Sequence, residues 1–219
     1  MENNTKYQEQ TYRELYYGGS VGGLLKKCHQ KLENYNFNEH NTILDIGIGF
    51  VPHKDYLKKS FKTYYGIDIK SALNAEEFIK KNYPDIIFKY YDGKKLPFDD
   101  ETIDRIIISH VLEHILEPEK FLYEMMRVLK KGGIVSIALP CDPGLLYRFG
   151  RNIFKKTVLK KHPDPDYDHD YFAACEHVNS IWNLYYIIRK RFNVVKEICY
   201  PINIINFDLN LFYVLQIKK

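Results

Sequence analysis

Short apolar runs and stretches of helical spacing alternate along most of the chain. Apolar runs rich in β-branched residues occupy 42–46, 62–69, 86–90, 103–109 and 134–139. Runs that are apolar on both faces are typical of parallel strands covered by helices on both sides. Because helical patterns separate these runs, most clearly at 117–130, the chain predicts a parallel, doubly wound α/β sheet with right-handed crossovers.

The flanking regions have a different character. Residues 6–34 predict one or two helices with too few apolar positions for a separate domain. Residues 144–161 predict a cationic amphipathic helix, 162–170 are acidic and broken by proline, and 180–192 predict another helix. Two final runs, 194–200 and 209–217, predict an antiparallel hairpin at the sheet edge, which gives about seven strands in all.

The first strand runs directly into a glycine turn. Gly47 and Gly49 follow Ile46, and a helical pattern begins near Pro52. Glycine permits a sharp turn and lets a ligand approach the backbone more closely than a Cβ would allow. Proline suits the first position of a helix, whose N-terminus would offer unpaired N–H groups to a polar ligand. The unit predicts a binding site, although a Gly-x-Gly pair alone is equally compatible with a simple tight turn.

Carboxylates stand at the ends of the next two predicted strands. Asp68 lies about 20 residues beyond the glycine turn, and Asp92 follows the third strand. In open parallel sheets, ligands bind beyond the carboxyl ends of the strands. A carboxylate there can accept two hydrogen bonds from a ribose diol. The alternative for Asp68 is an N-cap of a helix over 71–82.

Length, charge and cysteine usage narrow the class of protein. The chain has 219 residues, enough for one full-sized core, and its net charge of +4 permits an anionic partner without requiring nucleic acid. Its four cysteines form neither a Cys-x-x-Cys pair nor a zinc spacing, so we expect reduced thiols and a cytoplasmic location. The polar start does not resemble a signal peptide, and no run has the ~18 apolar residues of a membrane span.

Together these segments resemble a class I S-adenosylmethionine-dependent methyltransferase. The resemblance rests on segments 43–49, 66–68, 96–114 and 127–133 together with Asp92, in the order and spacing of that family. It implies a Rossmann-like sheet that ends in one reversed strand. It also implies a single domain over 1–219, divided into a helical cap (1–40), a cofactor-binding core (41–140), a substrate lid (141–180), and a last helix with terminal strands (181–219).

The resemblance implies that the glycine turn holds the methionine part of S-adenosylmethionine. Gly47, Gly49 and Phe50 would bring their backbone close to it, and Asp45 would hold this loop near the ammonium group of the cofactor. Val51 stands where such loops commonly carry a third glycine, so the loop is expected to be wider or differently turned.

The same resemblance assigns the rest of the cofactor site. Asp68 would bind the ribose hydroxyls, and Asp92 would accept a hydrogen bond from the adenine amine. Ile69 and the backbone of Gly93 would flank the adenine ring. Ser109 would lie under the reacting methyl group, next to His110.

Two other classes of protein stay open. A dinucleotide-binding protein would carry Gly-x-Gly-x-x-Gly, but the third glycine position holds Pro52, whose ring would obstruct close packing of helix on strand. A non-catalytic binding protein that keeps this fold is the second, since fold does not imply function. Nothing in the expected cofactor residues looks eroded.

Three residues are candidates for catalysis. A general base would assist transfer to a hydroxyl, and histidine titrates closest to neutral pH. His110 ends the fourth strand, and His177 lies in the segment Glu-His-Val-Asn at 176–179. A similar segment occurs in methyltransferases associated with surface-polysaccharide genes. Glu176 could orient a histidine, although adjacent residues seldom pair, and a loop or capping role is the alternative for both histidines.

The basic insert suggests an anionic small-molecule acceptor. We predict an enzyme of class EC 2.1.1 that O-methylates a phosphorylated or nucleotide-linked metabolite, such as a surface-polysaccharide precursor. Arg148 and Arg151 could hold its phosphate or carboxylate. A solvated helix face is the plain alternative.

The sequence leaves other acceptors open and predicts no metal. A lipid-linked or quinone-type acceptor is one alternative, with helix 144–161 resting on an anionic membrane. A nucleic-acid acceptor is disfavoured, because no recognition module is evident and no Asn-Pro-Pro-Tyr/Phe segment follows the fourth strand. We predict no metal, because the acidic residues of 162–170 lack the EF-hand spacing.

Overall fold

Seven strands form one sheet in the order β3-β2-β1-β4-β5-β7-β6. The computed structural model describes residues 19–33, 41–50, 52–58, 60–70, 75–161 and 168–219. The first five strands pair in parallel, and β7 is antiparallel to both neighbours, β5 and β6. The predicted sheet and its reversed strand are therefore confirmed. The strands are β1 (Thr42–Ile46), β2 (Thr63–Ile69), β3 (Ile86–Tyr91), β4 (Ile103–Ser109), β5 (Leu129–Pro140), β6 (Asn193–Tyr200) and β7 (Phe212–Lys218).

Helices cover both faces of this sheet. Alternate strand residues point to opposite faces. Leu44 and Ile106 therefore join a core cluster with the helices over 118–128 and 181–191, whereas Ile43 and Ile107 join a second cluster with the helices over 19–33 and 75–82. Short 3₁₀ helices occupy His53–Tyr56 and Leu112–His114. The α-helices in the described residues are α1 (Gly19–Glu33), α2 (Ala75–Asn82), α3 (Pro118–Val128), α4 (Leu145–Lys161), α5 (His169–Glu176) and α6 (Ile181–Arg191).

The prediction of an α-helix from Pro52 is wrong. Only one 3₁₀ turn forms after the glycine turn, and Leu57 is already extended. The carboxylate of Asp45 accepts hydrogen bonds from the His53 N–H at 2.9 Å and from the Tyr64 hydroxyl at 2.7 Å. This buried carboxylate ties the turn to β2, so the chain returns to the sheet before a second helical turn can form.

Two other elements differ from the sequence prediction. Strand β5 begins at Leu129, directly after α3, rather than at residue 134, because Leu129 pairs with Ile103 before the ladder shifts register. Helix α5 (His169–Glu176) forms where the sequence patterns indicated no helix. Its N-cap is Asp168, whose side chain accepts from the N–H groups of Asp170 and Tyr171.

A buried polar network fixes α1 against the sheet. The Arg105 guanidinium, 3% exposed, lies 2.5 Å from a carboxylate oxygen of Glu33 at the end of α1. Glu33 also meets His53 Nε2 at 3.0 Å, and His53 Nδ1 lies 2.9 Å from His29 Nδ1. Arg105 further donates to Ser136 Oγ on β5 at 3.1 Å. The network therefore joins α1 to β4, β5 and the turn that follows β1.

The helices that the structure describes include none that is long and apolar enough to cross a membrane. The division into cap, core, lid and terminal strands stays a prediction, and most of 1–40 and the segment 162–167 lie outside the described residues.

Candidate functional site

The glycine turn has a backbone that other residues adopt only at a cost. Gly47 and Gly49 have φ values of +69° and +49°. A Cβ on Gly47 would lie 2.3 Å from Cγ2 of Val111, whereas a Cβ on Gly49 would meet no atom of the described residues within 4 Å. Close approach to Val111 is therefore the constraint at Gly47, and no described residue crowds Gly49.

Asp45 holds this loop directly. Its carboxylate is buried, and both of its bonds to the loop and to Tyr64 use Oδ2. Burial raises the pKa of this carboxyl, although the bonds from His53 and Tyr64 oppose that rise. A cationic group near Asp45 would be stabilised by this desolvated carboxylate.

Asp68 closes the other side of the turn. One carboxylate oxygen accepts from the Gly49 N–H at 3.0 Å, and the other accepts from the Ile69 N–H at 2.8 Å. Burial raises the pKa of Asp68 against the effect of these two bonds. The Asp68 carboxylate is therefore directed at the glycine turn. Residues 71–74, where the predicted helix would begin, lie outside the described residues, so the alternative of a helix cap stays open.

An apolar shelf lies at the ends of β2 and β3. Ile69 is 39% exposed although it is apolar, and a Cβ on Gly93 would touch its Cγ2 at 3.4 Å. Gly93 has φ +77°, which turns the chain tightly after β3. Asp92 is exposed there, and one of its oxygens accepts from the N–H groups of Lys94 and Lys95 at 2.8 Å each. These two bonds lower the pKa of Asp92.

Phe50 differs from its neighbours in the turn. Its side chain is buried and packs edge-on against Phe78 of α2, with ring centroids 5.4 Å apart. Any contact of Phe50 with a ligand would therefore fall to its backbone. Val51 lies outside the described residues, so its predicted effect on the loop stays a prediction.

The end of β4 brings Ser109 and His110 to the same edge. Ser109 Oγ is buried and has no hydrogen-bond partner in the part of the chain that the structure describes. His110 has φ +55°, a strained value for a residue with a Cβ. The His110 ring lies between Cys28 Sγ at 3.8 Å and Glu113 Oε1 at 3.6 Å. Burial disfavours the imidazolium, but these two neighbours raise the pKa of His110 to about 10. A histidine that is protonated at neutral pH suits hydrogen-bond donation better than proton abstraction.

The segment that contains His177 docks on the turn after β4. The N–H of Asn179 donates to the Glu113 carbonyl at 3.0 Å, and the Asn179 side chain donates to the Ile115 carbonyl at 2.6 Å. These bonds place His177 beside His114, with ring centroids 5.0 Å apart in an edge-to-face arrangement. The structure thus brings His177 to the same edge of the sheet as Ser109 and His110.

The carboxylate that orients His177 is Asp142, which the sequence analysis missed. His177 Nδ1 lies 2.8 Å from Asp142 Oδ2. Glu176 instead contacts His114: its carbonyl is 2.9 Å and its carboxylate 3.6 Å from His114 Nδ1. The signal was present, since Asp142 follows the fifth strand just as Asp92 follows the third.

The cationic helix α4 forms as predicted, but one of its two named arginines is engaged. Arg151 lies 3.5 Å from Asp142, while Arg148 is exposed. Of the acidic residues in 162–170, Asp168 caps α5 and Asp170 pairs with Lys155, while 162–167 lie outside the described residues.

A cleft lined by Thr42, Tyr65 and Arg127 opens at the other edge of the sheet. Thr42 begins β1, so this cleft lies at the amino ends of the strands. The glycine turn and Asp68 lie at the carboxyl ends of β1 and β2, and Asn179 docks the segment of His177 on the turn after β4. The cleft is therefore at the opposite edge of the sheet from the candidate site.

The architecture is that of a class I S-adenosylmethionine-dependent methyltransferase. Residues 44–137 match the family model described as a methyltransferase domain, so this part of the chain is a methyltransferase domain and its predicted cofactor, S-adenosylmethionine, is confirmed. The matched range begins within β1 and ends within β5, and it contains all of the residues assigned to the cofactor.

Curated relatives match over part of their length. A demethylmenaquinone methyltransferase of Paenarthrobacter aurescens is 37% identical over 101 residues, which are 45% of this chain and 39% of that protein. A ubiquinone/menaquinone biosynthesis C-methyltransferase of Campylobacter jejuni is 29% identical over 57% of this chain and 55% of its own length. The chain thus spans about two fifths to just over half of these two relatives.

Solved structures share the fold over almost the whole chain. A S-adenosylmethionine-dependent methyltransferase from Aquifex aeolicus has a TM-score of 0.58 at 18% identity, covering 99% of this chain and 97% of its own. The [4+2]-cyclase SpnF has a TM-score of 0.63 at 13% identity, covering 92% and 83%. Because a cyclase shares this architecture, the fold alone does not assign the reaction.

Proposed function

We propose that the chain transfers a methyl group from S-adenosylmethionine to a quinone-type aromatic acceptor. The use of S-adenosylmethionine is supported by the match of residues 44–137 to a methyltransferase domain. In this domain the glycine turn, Asp68 and Ile69 lie at one edge of the sheet. In this proposal Asp45 faces the ammonium group, Asp68 binds the ribose hydroxyls, and Ile69 with Gly93 flanks the adenine.

The proposal assigns the remaining cofactor contacts to Asp92, the glycine turn and Ser109. Asp92 has one oxygen in the turn with Lys94 and Lys95, and its other oxygen accepts from the adenine amine. Gly47, Gly49 and the Phe50 backbone contact the methionine part, and Ser109 lies under the methyl group. Transfer is an in-line displacement at the sulfonium, for which the protein supplies orientation.

The acceptor class rests on the relatives and on the surface of the lid. Two relatives are described as methyltransferases of menaquinone or ubiquinone biosynthesis, which favours the quinone-type alternative over the predicted polysaccharide precursor and over O-methylation. A quinone-type acceptor with an isoprenoid tail is apolar and resides in membranes, so the protein must meet a lipid surface.

Helix α4 offers such a surface. Leu145, Phe149 and Ile153 are four residues apart and each is more than half exposed, so they form one apolar stripe. Arg148 and Lys156 beside it are exposed cations. An apolar stripe flanked by cations is typical of helices that lie on anionic membranes. We therefore place peripheral membrane contact at residues 144–161.

Methylation of a reduced naphthoquinone that lacks its ring methyl group tests this acceptor. Radiolabelled S-adenosylmethionine would be supplied with that quinol in phosphatidylglycerol vesicles, with the quinol in phosphatidylcholine vesicles, or with a panel of sugar nucleotides. We expect label in the quinol, at a higher rate in the anionic vesicles. Label in a sugar nucleotide instead would restore the polysaccharide prediction, and equal rates in both vesicles would remove the membrane contact.

Asp68→Ala should weaken S-adenosylmethionine binding by roughly 1.5–3 kcal/mol, the scale of lost charge-assisted hydrogen bonds. That is a rise in Kd of about 10- to 150-fold by calorimetry. Asp99→Ala, which removes an exposed carboxylate at the opposite edge of the sheet, is the matched control and should bind normally. Unchanged affinity in Asp68→Ala would take Asp68 out of the ribose site.

The catalytic roles of His177, His110 and Glu176 stay predictions. Asp142 fixes the Nδ1 of His177 and leaves its Nε2 to act on another group, which fits either a base or a metal ligand. Glu176 positions His114 rather than His177, so its proposed role is indirect.

A further inference from the structure

Three side chains with metal-ligating atoms converge just beyond β4. Glu113 and His114 belong to the 3₁₀ turn Leu112–His114, and His177 directly follows α5. One ligand atom of each lies within 4.8 Å of those of the other two. Donor atoms that share one ion at ~2.0–2.2 Å lie ~3–3.5 Å apart, so closure on an ion needs shifts of about 1 Å. We propose that Glu113, His114 and His177 bind a divalent metal ion of the imidazole-preferring class, such as Zn²⁺.

Both histidines are already held as metal ligands require. A carbonyl oxygen can only accept, so the contact of 2.9 Å to the Glu176 carbonyl places a proton on His114 Nδ1. The Asp142 carboxylate, 2.8 Å from His177 Nδ1, places a proton there in the same way. In each ring the lone pair is then on Nε2. Ligating histidines characteristically donate their other N–H to a carbonyl or carboxylate, which fixes the tautomer and the ring orientation.

The carboxylate of Glu113 is independent evidence for a cation site. Glu113 is 2% exposed, and its Oε2 is buried with no hydrogen-bond partner among the described residues. Its Oε1 lies 3.9 Å from His114 Nε2, too far for a hydrogen bond and suited to two ligands of one ion. A buried carboxylate oxygen that lacks a partner is costly, and a bound cation removes that cost.

The donor set indicates the kind of ion. Two imidazoles and one carboxylate occur in catalytic zinc sites and in non-haem iron sites, where three protein ligands leave positions open. Mg²⁺ and Ca²⁺ prefer oxygen ligands, so the proposal predicts that they bind much more weakly than Zn²⁺. These three residues are separate from the acidic residues 162–170, for which the sequence predicted no metal, and the proposal places an ion at a different position in the fold.

The site also has a use in the reaction, and this part rests on the proposed function. Glu113 Oε1 is 3.6 Å from His110, whose neighbour Ser109 is expected under the methyl group. An acceptor hydroxyl at an open position of a bound ion would lose its proton to water more readily. The electron pair of the phenolate would form the bond to the methyl carbon, from the oxygen or through the adjacent ring carbon, as the sulfur–carbon bond breaks and S-adenosylhomocysteine leaves. After transfer to carbon, loss of the ring proton at that carbon to water would restore the aromatic ring. His177 is then a ligand rather than a base.

Metal titration tests the site without any acceptor. The purified chain, stripped with a chelator, would be titrated with Zn²⁺ by calorimetry and with Co²⁺ by visible absorption, with Mg²⁺ as the comparison ion. We expect one Zn²⁺ per chain with a Kd of micromolar or below, and d–d bands from Co²⁺ in an asymmetric site. Glu113→Gln, His114→Ala and His177→Ala should each weaken Zn²⁺ binding at least tenfold, within the range typical of lost ligands and their partners.

Control variants distinguish the loss of metal ligands from general effects of substitution. His169→Ala removes a histidine at the other end of α5, and Glu117→Gln removes an exposed carboxylate on the same connection; both should bind Zn²⁺ normally. Circular dichroism would confirm that each variant is folded, and Glu113→Gln keeps the side-chain shape. Absence of stoichiometric binding, or binding that survives all three substitutions, would overturn the proposal. Binding of S-adenosylmethionine is measured separately, so failure of the metal site and failure of the cofactor site are distinguishable.

Discussion

Replacing Arg105 with methionine is expected to lower the free energy of unfolding by about 3–5 kcal/mol, the usual cost of leaving a buried charge without its partner. The guanidinium pairs at 2.5 Å with Glu33, and both side chains are less than a tenth exposed. The loss would be measured by urea denaturation at pH 7. Lys130→Met, which breaks the partly exposed pair with Asp104, is the control and should cost about 1 kcal/mol or less.

The pH dependence of this loss has a definite sign. Burial favours the neutral form of Glu33, but His53 and Arg105 outweigh it and lower the pKa of this carboxyl. The pair therefore stabilises the protein above the ordinary pKa of glutamate, and its contribution disappears as the pH falls through the lowered value. The difference between wild type and Arg105→Met should shrink below pH 4. A loss under 1 kcal/mol at pH 7 would show that the network does not hold α1 in place.

Gly47→Ala is expected to lower the free energy of unfolding by about 2–5 kcal/mol. Of this, ~1–2 kcal/mol is the cost of a left-handed backbone with a Cβ, and ~1–3 kcal/mol comes from the clash with Val111 at 2.3 Å. Valine is stiff about χ1, so the methyl group cannot simply rotate away. Because the turn would shift, S-adenosylmethionine affinity should fall as well. Thermal unfolding and calorimetry measure the two effects.

Gly49→Ala is the matched comparison for this prediction. Gly49 also has positive φ, but a Cβ there meets open space, so only the backbone cost of ~1–2 kcal/mol is expected. Adding Val111→Ala to Gly47→Ala should recover stability relative to the sum of the two single variants, which a double-mutant cycle would detect. Equal losses at Gly47 and Gly49 would contradict the close approach to Val111.

Much of the fold follows from local patterns in the sequence. Continuous apolar runs such as Ile106, Ile107 and Ile108 indicate a strand buried on both faces, and the structure confirms it. The structure of the turn after β1 was harder to predict. Pro52 favours the start of a helix, but the path of the chain is determined by the long-range hydrogen bond from the Tyr64 hydroxyl to Asp45. Local propensity carries no information about such a contact.

Part of the candidate site could likewise be predicted from the sequence, and part of it could not. Asp68 and Asp92 were predictable because they stand at the carboxyl ends of predicted strands, and Asp68 also lies about 20 residues beyond the glycine turn. The pairing of His177 with Asp142 joins residues 35 apart, and the approach of His177 to Glu113 depends on how Asn179 docks on the turn after β4. The partners of His177 therefore depend on tertiary packing and could not be predicted from sequence spacing.

Calorimetric titration of the full chain with S-adenosylmethionine and S-adenosylhomocysteine, with NAD as the comparison ligand, tests the central claim most directly. The structure and the matched domain predict one cofactor per chain with micromolar affinity, and no binding of NAD. Absence of binding by both S-adenosyl compounds, or binding of NAD in their place, would contradict the account of the glycine turn and Asp68.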